Sequence, residues 1–146
     1  MIGLVIATHG KMSDGLVDAA ELIIGSTDNI ETLNLNQGDN VQDLNKQMLE
    51  AIQKVDQQDG VIVFTDLFGA SPYNQATLAV HSLPKEQREK IFIITGINLP
   101  MLLEAINQRM VGTSLQNAVS AILDSAKESV VVNQLEEENT NEEDEF

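Results

Sequence analysis

Two short, almost uninterrupted apolar runs constrain this chain more than any other feature. Leu4, Val5, Ile6 and Ala7 follow one another within Gly3–Thr8, and Ile62, Val63 and Phe64 within Val61–Thr65. A strand without polar alternation has to be covered on both faces, which calls for a parallel sheet between two layers of helices. The rest of the chain supplies those helices. Leu16, Ala19, Ala20, Ile23 and Ile24 recur at helical spacing from a start at Ser13 to a stop at Gly25. Val41, Leu44, Met48, Ile52 and Val55 mark one face of a second helix. Ser71–Pro72 opens a third, which runs to about His81. Leu102, Leu103, Ile106 and Met110 mark a fourth, and Leu115, Ala118, Val119 and Ile122 a last one from Ser114. Ile30–Leu35 and Ile91–Thr95 complete the strands, and Val130–Val132 reads as a short final one. Met48, Met101 and Met110 are expected in or near the core. The fold class is α/β: an open, mostly parallel, flavodoxin-like sheet of order 2-1-3-4 with helices on both faces and right-handed crossovers.

At 146 residues, with 42% hydrophobic, the chain suits one domain with one ordinary core. It has no cysteine, which removes disulfide and thiol chemistry, and no metal site is expected from its two histidines. No stretch reaches the apolar length of a membrane span. The opening Met1–Gly10 lacks the basic start and small-residue cleavage site of a signal peptide, so it is expected to be a buried strand of a cytoplasmic protein. The formal charge is −15; Glu136, Glu137, Glu138, Glu142, Glu143, Asp144 and Glu145 account for seven of it, leaving −8 for the body. That balance argues against nucleic acid as a partner. Residues 1–133 are expected to form the domain and 134–146 a disordered acidic tail.

Ligands of open parallel sheets bind beyond the carboxyl ends of the strands, where the strand order reverses. His9 follows the first strand and Asp66 the third, so in a 2-1-3-4 order they face each other across that point. A carboxylate accepting one imidazole N–H fixes the tautomer, leaves the other nitrogen as a nucleophile, and stabilises the charge of a phosphorylated ring. Phe68-Gly69-Ala70-Ser71-Pro72 is a glycine-containing loop that opens a helix, and its exposed amides suit a phosphoryl group. Ser71 either donates its hydroxyl to that group or caps the helix. Each piece alone has an ordinary explanation as a loop histidine, a turn former or a helix start; their joint placement at one switch point favours chemistry. His81, near a helix C-terminus, is read as structural. Neither a dinucleotide fingerprint nor a Walker A loop is present.

These segments resemble a known family. Ile2-Gly3-Leu4-Val5-Ile6-Ala7-Thr8-His9-Gly10 is similar to the first strand and phosphorylated histidine of the IIA component (EIIA) of mannose/fructose/sorbose-type phosphoenolpyruvate-dependent sugar phosphotransferase systems. Thr65-Asp66-Leu67-Phe68-Gly69-Ala70-Ser71-Pro72-Tyr73-Asn74 resembles its second motif, and Gly96-Ile97-Asn98-Leu99-Pro100-Met101 its third. The resemblance spans about residues 1–133.

It implies a phosphocarrier without cofactor. His9 accepts a phosphoryl group on Nε2 from phospho-HPr and passes it to a IIB component, and from there it reaches a sugar entering through the membrane IIC–IID permease. Nδ1–H faces Asp66; Phe68, Gly69, Ala70 and Ser71 bind the phosphoryl oxygens; Gly10 allows close backbone approach; Thr8, Asn74 and Asn98 support the loops. The family's subunits form homodimers by exchanging the last strand, a role for Val130–Val132. The chain would work in the cytoplasm, peripheral to the permease. Many relatives continue through an Ala/Pro-rich linker into a IIB domain, whereas this chain ends in acidic residues, as expected of a separate IIA subunit or of one ending within such a linker. The related subunit that serves dihydroxyacetone kinase differs in its second motif, so Phe68–Asn74 favours the sugar-transport branch. A phosphorylation-dependent regulatory module and a flavodoxin-like binder of a phosphorylated small molecule are the alternative readings.

Overall fold

The computed structural model describes residues 1–136 and contains, in chain order, β1 (Gly3–His9), α1 (Met12–Ile24), β2 (Ile30–Leu35), α2 (Val41–Val55), β3 (Val61–Thr65), α3 (Ser71–His81), α4 (Lys85–Arg88), β4 (Ile91–Ile94), α5 (Leu99–Met110) and α6 (Leu115–Glu128). The four strands form one sheet of order β2-β1-β3-β4, and every pairing is parallel. The expected order and strand directions are therefore observed.

The apolar runs account for the two layers. Leu4 and Ile6 of β1, with Ile62 and Phe64 of β3, face α1, α5 and α6, where Ala20, Leu102, Ile106, Ala118 and Ile122 are buried against them. Val5, Ala7, Val61 and Val63 face the other way onto Met48, Ile52 and Val55 of α2 and Ala76 and Ala79 of α3. Burial of one such aliphatic side chain contributes about 1.5–3 kcal/mol, so the two central strands anchor both cores. The helix ends follow sequence chemistry. The side chains of Asn40, Asn98 and Ser114 cap α2, α5 and α6, and Gly25 ends α1 in the left-handed region at φ 87°.

Several expectations are corrected. β1 continues through His9, so the histidine is the last residue of the strand. Lys11, with no side-chain cap bond, is the N-cap of α1, and Ser13 sits inside the first turn. α4 was not expected from the apolar pattern. Ile23 and Met110 are exposed rather than in the core: Ile24, one residue further on, packs inward while Ile23 lies off that face, and Met110 is the last residue of α5. Val130–Val132 forms no strand within the single chain, and its three valines are exposed. β4 is the last strand on its side of the sheet, so its outer edge has no partner among the described residues. Residues 137–146 of the acidic tail lie outside the described residues.

α2 lies very close to the start of β1. A Cβ added to Gly3 would meet the carbonyl oxygen of Val55 and come within 2.6 Å of its Cγ2. Gly3→Ala is expected to lower stability by about 1–3 kcal/mol through overpacking, checked by urea denaturation; an unchanged midpoint would show that α2 can move away freely.

Candidate functional site at the ends of β1 and β3

Parallel pairing sets Ala7 opposite Thr65, so the chain leaves β1 at His9 beside the point where it leaves β3 at Asp66. Here Asp66 receives two donors on one oxygen: Oδ2 accepts the His9 backbone N–H at 3.0 Å and lies 2.8 Å from ring Nδ1. With a carboxylate as acceptor, Nδ1 carries the proton and Nε2 keeps its lone pair. The His9 side chain is 48% exposed and that of Asp66 13%, so the ring faces solvent while its partner is held inside. Burial pushes the Asp66 carboxyl up, but the backbone and ring hydrogen bonds from His9 and its charge outweigh this, and the carboxyl lies below its usual range.

The backbone around His9 is tethered as well. Gly10 N–H donates to the Leu35 carbonyl at 2.8 Å, and Gly10 adopts φ 57°. A Cβ at Gly10 would meet nothing within 4 Å, so the left-handed turn, more than close approach within this chain, is what calls for glycine there. Thr8 is fully buried, and its Oγ1 accepts the Ser13 N–H at 2.9 Å. That bond satisfies an amide in the first turn of α1 that Lys11 does not cap.

On the β3 side, the loop from Leu67 to Ala70 leads into α3. Gly69 turns at φ 78°. Ala70, not Ser71, is the N-cap, and no side chain caps the helix. Ser71 and Pro72 thus occupy the first helical positions, and of the two roles open to Ser71, capping is removed. Ala70 N–H is engaged by the Leu67 carbonyl at 3.3 Å, whereas Phe68, Gly69 and Ser71 donate to no backbone acceptor outside the regular elements among the described residues. Three amides and the positive end of an eleven-residue helix are thereby available for an anion. Asn74 Nδ2 donates to the Gly69 carbonyl at 2.9 Å, and Asn98 Oδ1 accepts the Met101 N–H at 3.0 Å. The two asparagines order different loops: Asn74 the glycine turn, Asn98 the start of α5.

Two features were missed in the sequence. Exposed Phe68 packs against Tyr73, with ring centroids 4.9 Å apart. The clustering of two aromatics within Phe68–Tyr73, in a chain with only 3% aromatic residues, was the available signal. Thr65 Oγ1, Asp66 Oδ1 and Thr95 Oγ1 are buried without hydrogen-bond partners in the described structure. The unpaired Oδ1 leaves Oδ2 as the oxygen through which Asp66 holds His9.

The family model described as EIIA-man, PTS system fructose IIA component, matches residues 3–123. The mannose-specific EIIAB component of the phosphotransferase system of Escherichia coli K12 is 31% identical over 129 residues, which are 88% of this chain and 38% of that protein. This chain thus spans well under half the length of that relative. The fructose-specific EIIA component of Bacillus subtilis is 27% identical over 109 residues, 75% of this chain and 71% of that one. Among solved structures, phosphotransferase component EIIA from Streptococcus agalactiae superimposes with a TM-score of 0.78 at 28% identity, covering 90% of this chain and 97% of that chain. A mannose/sorbose-specific IIA subunit from Enterococcus faecalis shares the fold with a TM-score of 0.76 at 17% identity, over 93% and 97% of the two chains.

The depressed Asp66 value has a definite sign. The His9–Asp66 pair contributes stability above the ordinary carboxyl value of 3.8, and that contribution is lost as pH falls through the lower folded value. In a carbon-13 NMR titration the Asp66 carboxyl is expected to stay ionised below 3.8, and in His9→Ala its midpoint is expected to rise. A midpoint unmoved by that substitution would mean the ring does not hold the carboxylate.

Proposed function

The chain belongs to the EIIA family of mannose/fructose-type phosphotransferase components, and from that membership we propose that it is a phosphocarrier whose phosphorylated group is His9. The observation that carries the reading is the pair of hydrogen bonds that Asp66 Oδ2 accepts from the His9 amide and from ring Nδ1, which leaves Nε2 as the nucleophile on an exposed ring.

In the first transfer, the Nε2 lone pair attacks the phosphorus of the phosphohistidine on HPr. The N–P bond on the donor breaks, and its electron pair returns to the donor imidazole. Nδ1–H stays on His9, and Asp66 offsets the positive charge of the phosphorylated ring. The second transfer repeats the displacement with His9 as the leaving group and a histidine of a IIB component as the nucleophile. No proton has to cross the site in either direction. Bonds of one kind are exchanged, so the protein's contribution is position and charge. The amides of Phe68, Gly69 and Ser71 and the Ser71 hydroxyl hold the phosphoryl oxygens, with Gly10, Ala70, Thr8, Asn74 and Asn98 keeping the turns in shape.

The sugar enters through a IIC–IID permease downstream, and the chain works at the cytoplasmic side. Among the described residues, no helix is long and apolar enough to cross a membrane. The subunits pair as a homodimer in which Val130–Val132 covers the unpartnered edge of a second copy's β4. The three exposed valines and that open edge support the exchange.

Intact-mass analysis after incubation with phosphoenolpyruvate, Enzyme I and HPr tests the carrier reading. One acid-labile phosphoryl group is expected on the wild type and none on His9→Ala; equal phosphorylation of both would remove His9 from the mechanism. Asp66→Asn keeps an oxygen for both His9 donors and loses the charge. It is expected to fold normally and transfer at least about tenfold more slowly, measured by rapid-quench transfer from phospho-HPr.

A further inference from the structure

On the α1 side of the sheet, behind the turn that carries His9, polar groups form a continuous chain. Asn34 stands beside Thr8 in the β1–β2 register, and Thr32 beside Ile6. Thr32 Oγ1 donates to Asp14 Oδ1 at 2.7 Å, and Asn34 Nδ2 donates to Asp14 Oδ2 at 2.6 Å. Ser13 Oγ donates in turn to Asn34 Oδ1, and the Ser13 N–H to Thr8 Oγ1 at 2.9 Å. The chain therefore runs from β2 through the first turn of α1 to the residue that precedes His9.

The arrangement is unusual for an acid at that position. A carboxylate in the first turn of a helix ordinarily serves the free amides of its own helix. Asp14 instead uses both oxygens on β2, and a first-turn amide is satisfied from β1. The start of α1 is thus braced against two strands. Between the anchored residues Thr8 and Ser13 lie only His9 at the end of β1, the turn Gly10-Lys11 and Met12 at the start of α1, held at the middle by Gly10 N–H on the Leu35 carbonyl. Asp66 fixes the ring from the β3 side, and among the described residues no hydrogen bond from that side reaches the turn's far end.

We propose that Asp14 is a positioning residue of the phosphoryl-transfer site, bracing the start of α1 against Thr32 and Asn34 and so holding the turn that carries His9. The proposal rests on His9 being the phosphorylated group. The bonds from Thr32 and Asn34 hold the Asp14 carboxyl below its usual range, so the brace is ionised at neutral pH. Its charge is nevertheless dispensable. In Asp14→Asn the amide oxygen still accepts from Thr32, and its nitrogen donates to Asn34 once the Asn34 amide turns over. Asn34 then donates to Ser13 Oγ, which donates to the Leu33 carbonyl, already 3.4 Å away. Asp14→Ala removes both bonds.

Two measurements test the brace: single-turnover transfer from phospho-HPr across donor concentrations, and hydrogen exchange of the His9 and Gly10 amides by NMR. Asp14→Ala is expected to lower the rate at saturating donor about tenfold or more, as small misplacements of reacting groups do. Half-saturation should be unchanged, and both amides should exchange faster. Asp14→Asn is expected to recover most of the rate and the protection. Asn34→Leu should reproduce the alanine defect, and the double variant should be no worse than either single one. Thr32→Val, which drops one bond at the strand, should shift both readouts in the same direction and serves if Asp14→Ala does not fold.

Wild-type rate and protection in Asp14→Ala would overturn the proposal. So would an asparagine variant as slow as the alanine one, which would assign the effect to charge. A raised half-saturation with an unchanged saturating rate would make Asp14 a partner contact instead. If wild-type protein takes up no phosphoryl group, the His9 reading fails, and amide exchange alone decides the brace.

Discussion

Everything at the carboxyl end of the sheet depends on β1 lying directly beside β3. With Ala7 opposite Thr65, β3 ends two residues short of the end of β1, and Asp66, the residue after β3, needs almost no reach to meet His9 at the end of β1. Asp66 uses a single oxygen for both the backbone and the ring of His9. The backbone bond ties the carboxylate to the strand end, and the ring bond then orients the imidazole from a fixed point. A carboxylate on a flexible loop could make the second bond without the first, and would lose the orientation. The two apolar cores serve this geometry, because they bury both faces of the central strands and so fix the register.

The electrostatics follow from the same pairing. In a chain this acidic, an isolated exposed histidine would gain no particular tautomer. The half-buried Asp66 supplies one, while the proposed phosphoryl side is left to amides and a helix end, which carry no full charge. That division suits the proposed carrier, which has to release its group again. A lysine or arginine in the cradle would hold the phosphoryl group more firmly and slow the second transfer. The proposed transfer between two histidines is served by fixed dipoles of modest strength.

The sheet and the central pair were legible in the sequence because each rests on a local pattern joined to a general rule. Apolar runs without alternation imply strands covered on both faces, and the crossover order then brings His9 to Asp66. What escaped was set by tertiary context. Ser71 looks like an N-cap because Ser–Pro is common at helix starts, but the loop's own turn makes Ala70 the cap. Ile23 and Met110 fit a helical stripe, and periodicity fixes neither how wide the covered part of the stripe is nor where it ends. α4 is four polar and charged residues with no apolar face to reveal it. Val130–Val132 has the composition of a strand, but within the single chain it pairs with neither open edge of the sheet. Thr8, Ser13, Asp14, Thr32 and Asn34 are unremarkable singly and meet only through the β1–β2 register.

The opposite end of the sheet is built on a different principle, and the contrast explains how the active end can be open. Arg109 of α5 donates to the carbonyls of Asp28 and Asn29, in the connection between α1 and β2. Asn29 also accepts the Leu4 N–H at 3.2 Å and sends its side-chain amide to the Val55 carbonyl at 2.8 Å. α5, the α1–β2 connection, β1 and the end of α2 are thereby joined through one buried guanidinium and one asparagine. A buried cation with well-placed acceptors costs desolvation but fixes several backbones at once. With helices and strands locked together there, the carboxyl end can be made of glycine turns and unpaired amides. Such turns contribute little to stability and leave the His9 ring exposed. The rigidity that the proposed phosphoryl transfer needs would be supplied from below, by strands that cannot slide, and from behind, by the hydrogen bonds that hold the start of α1.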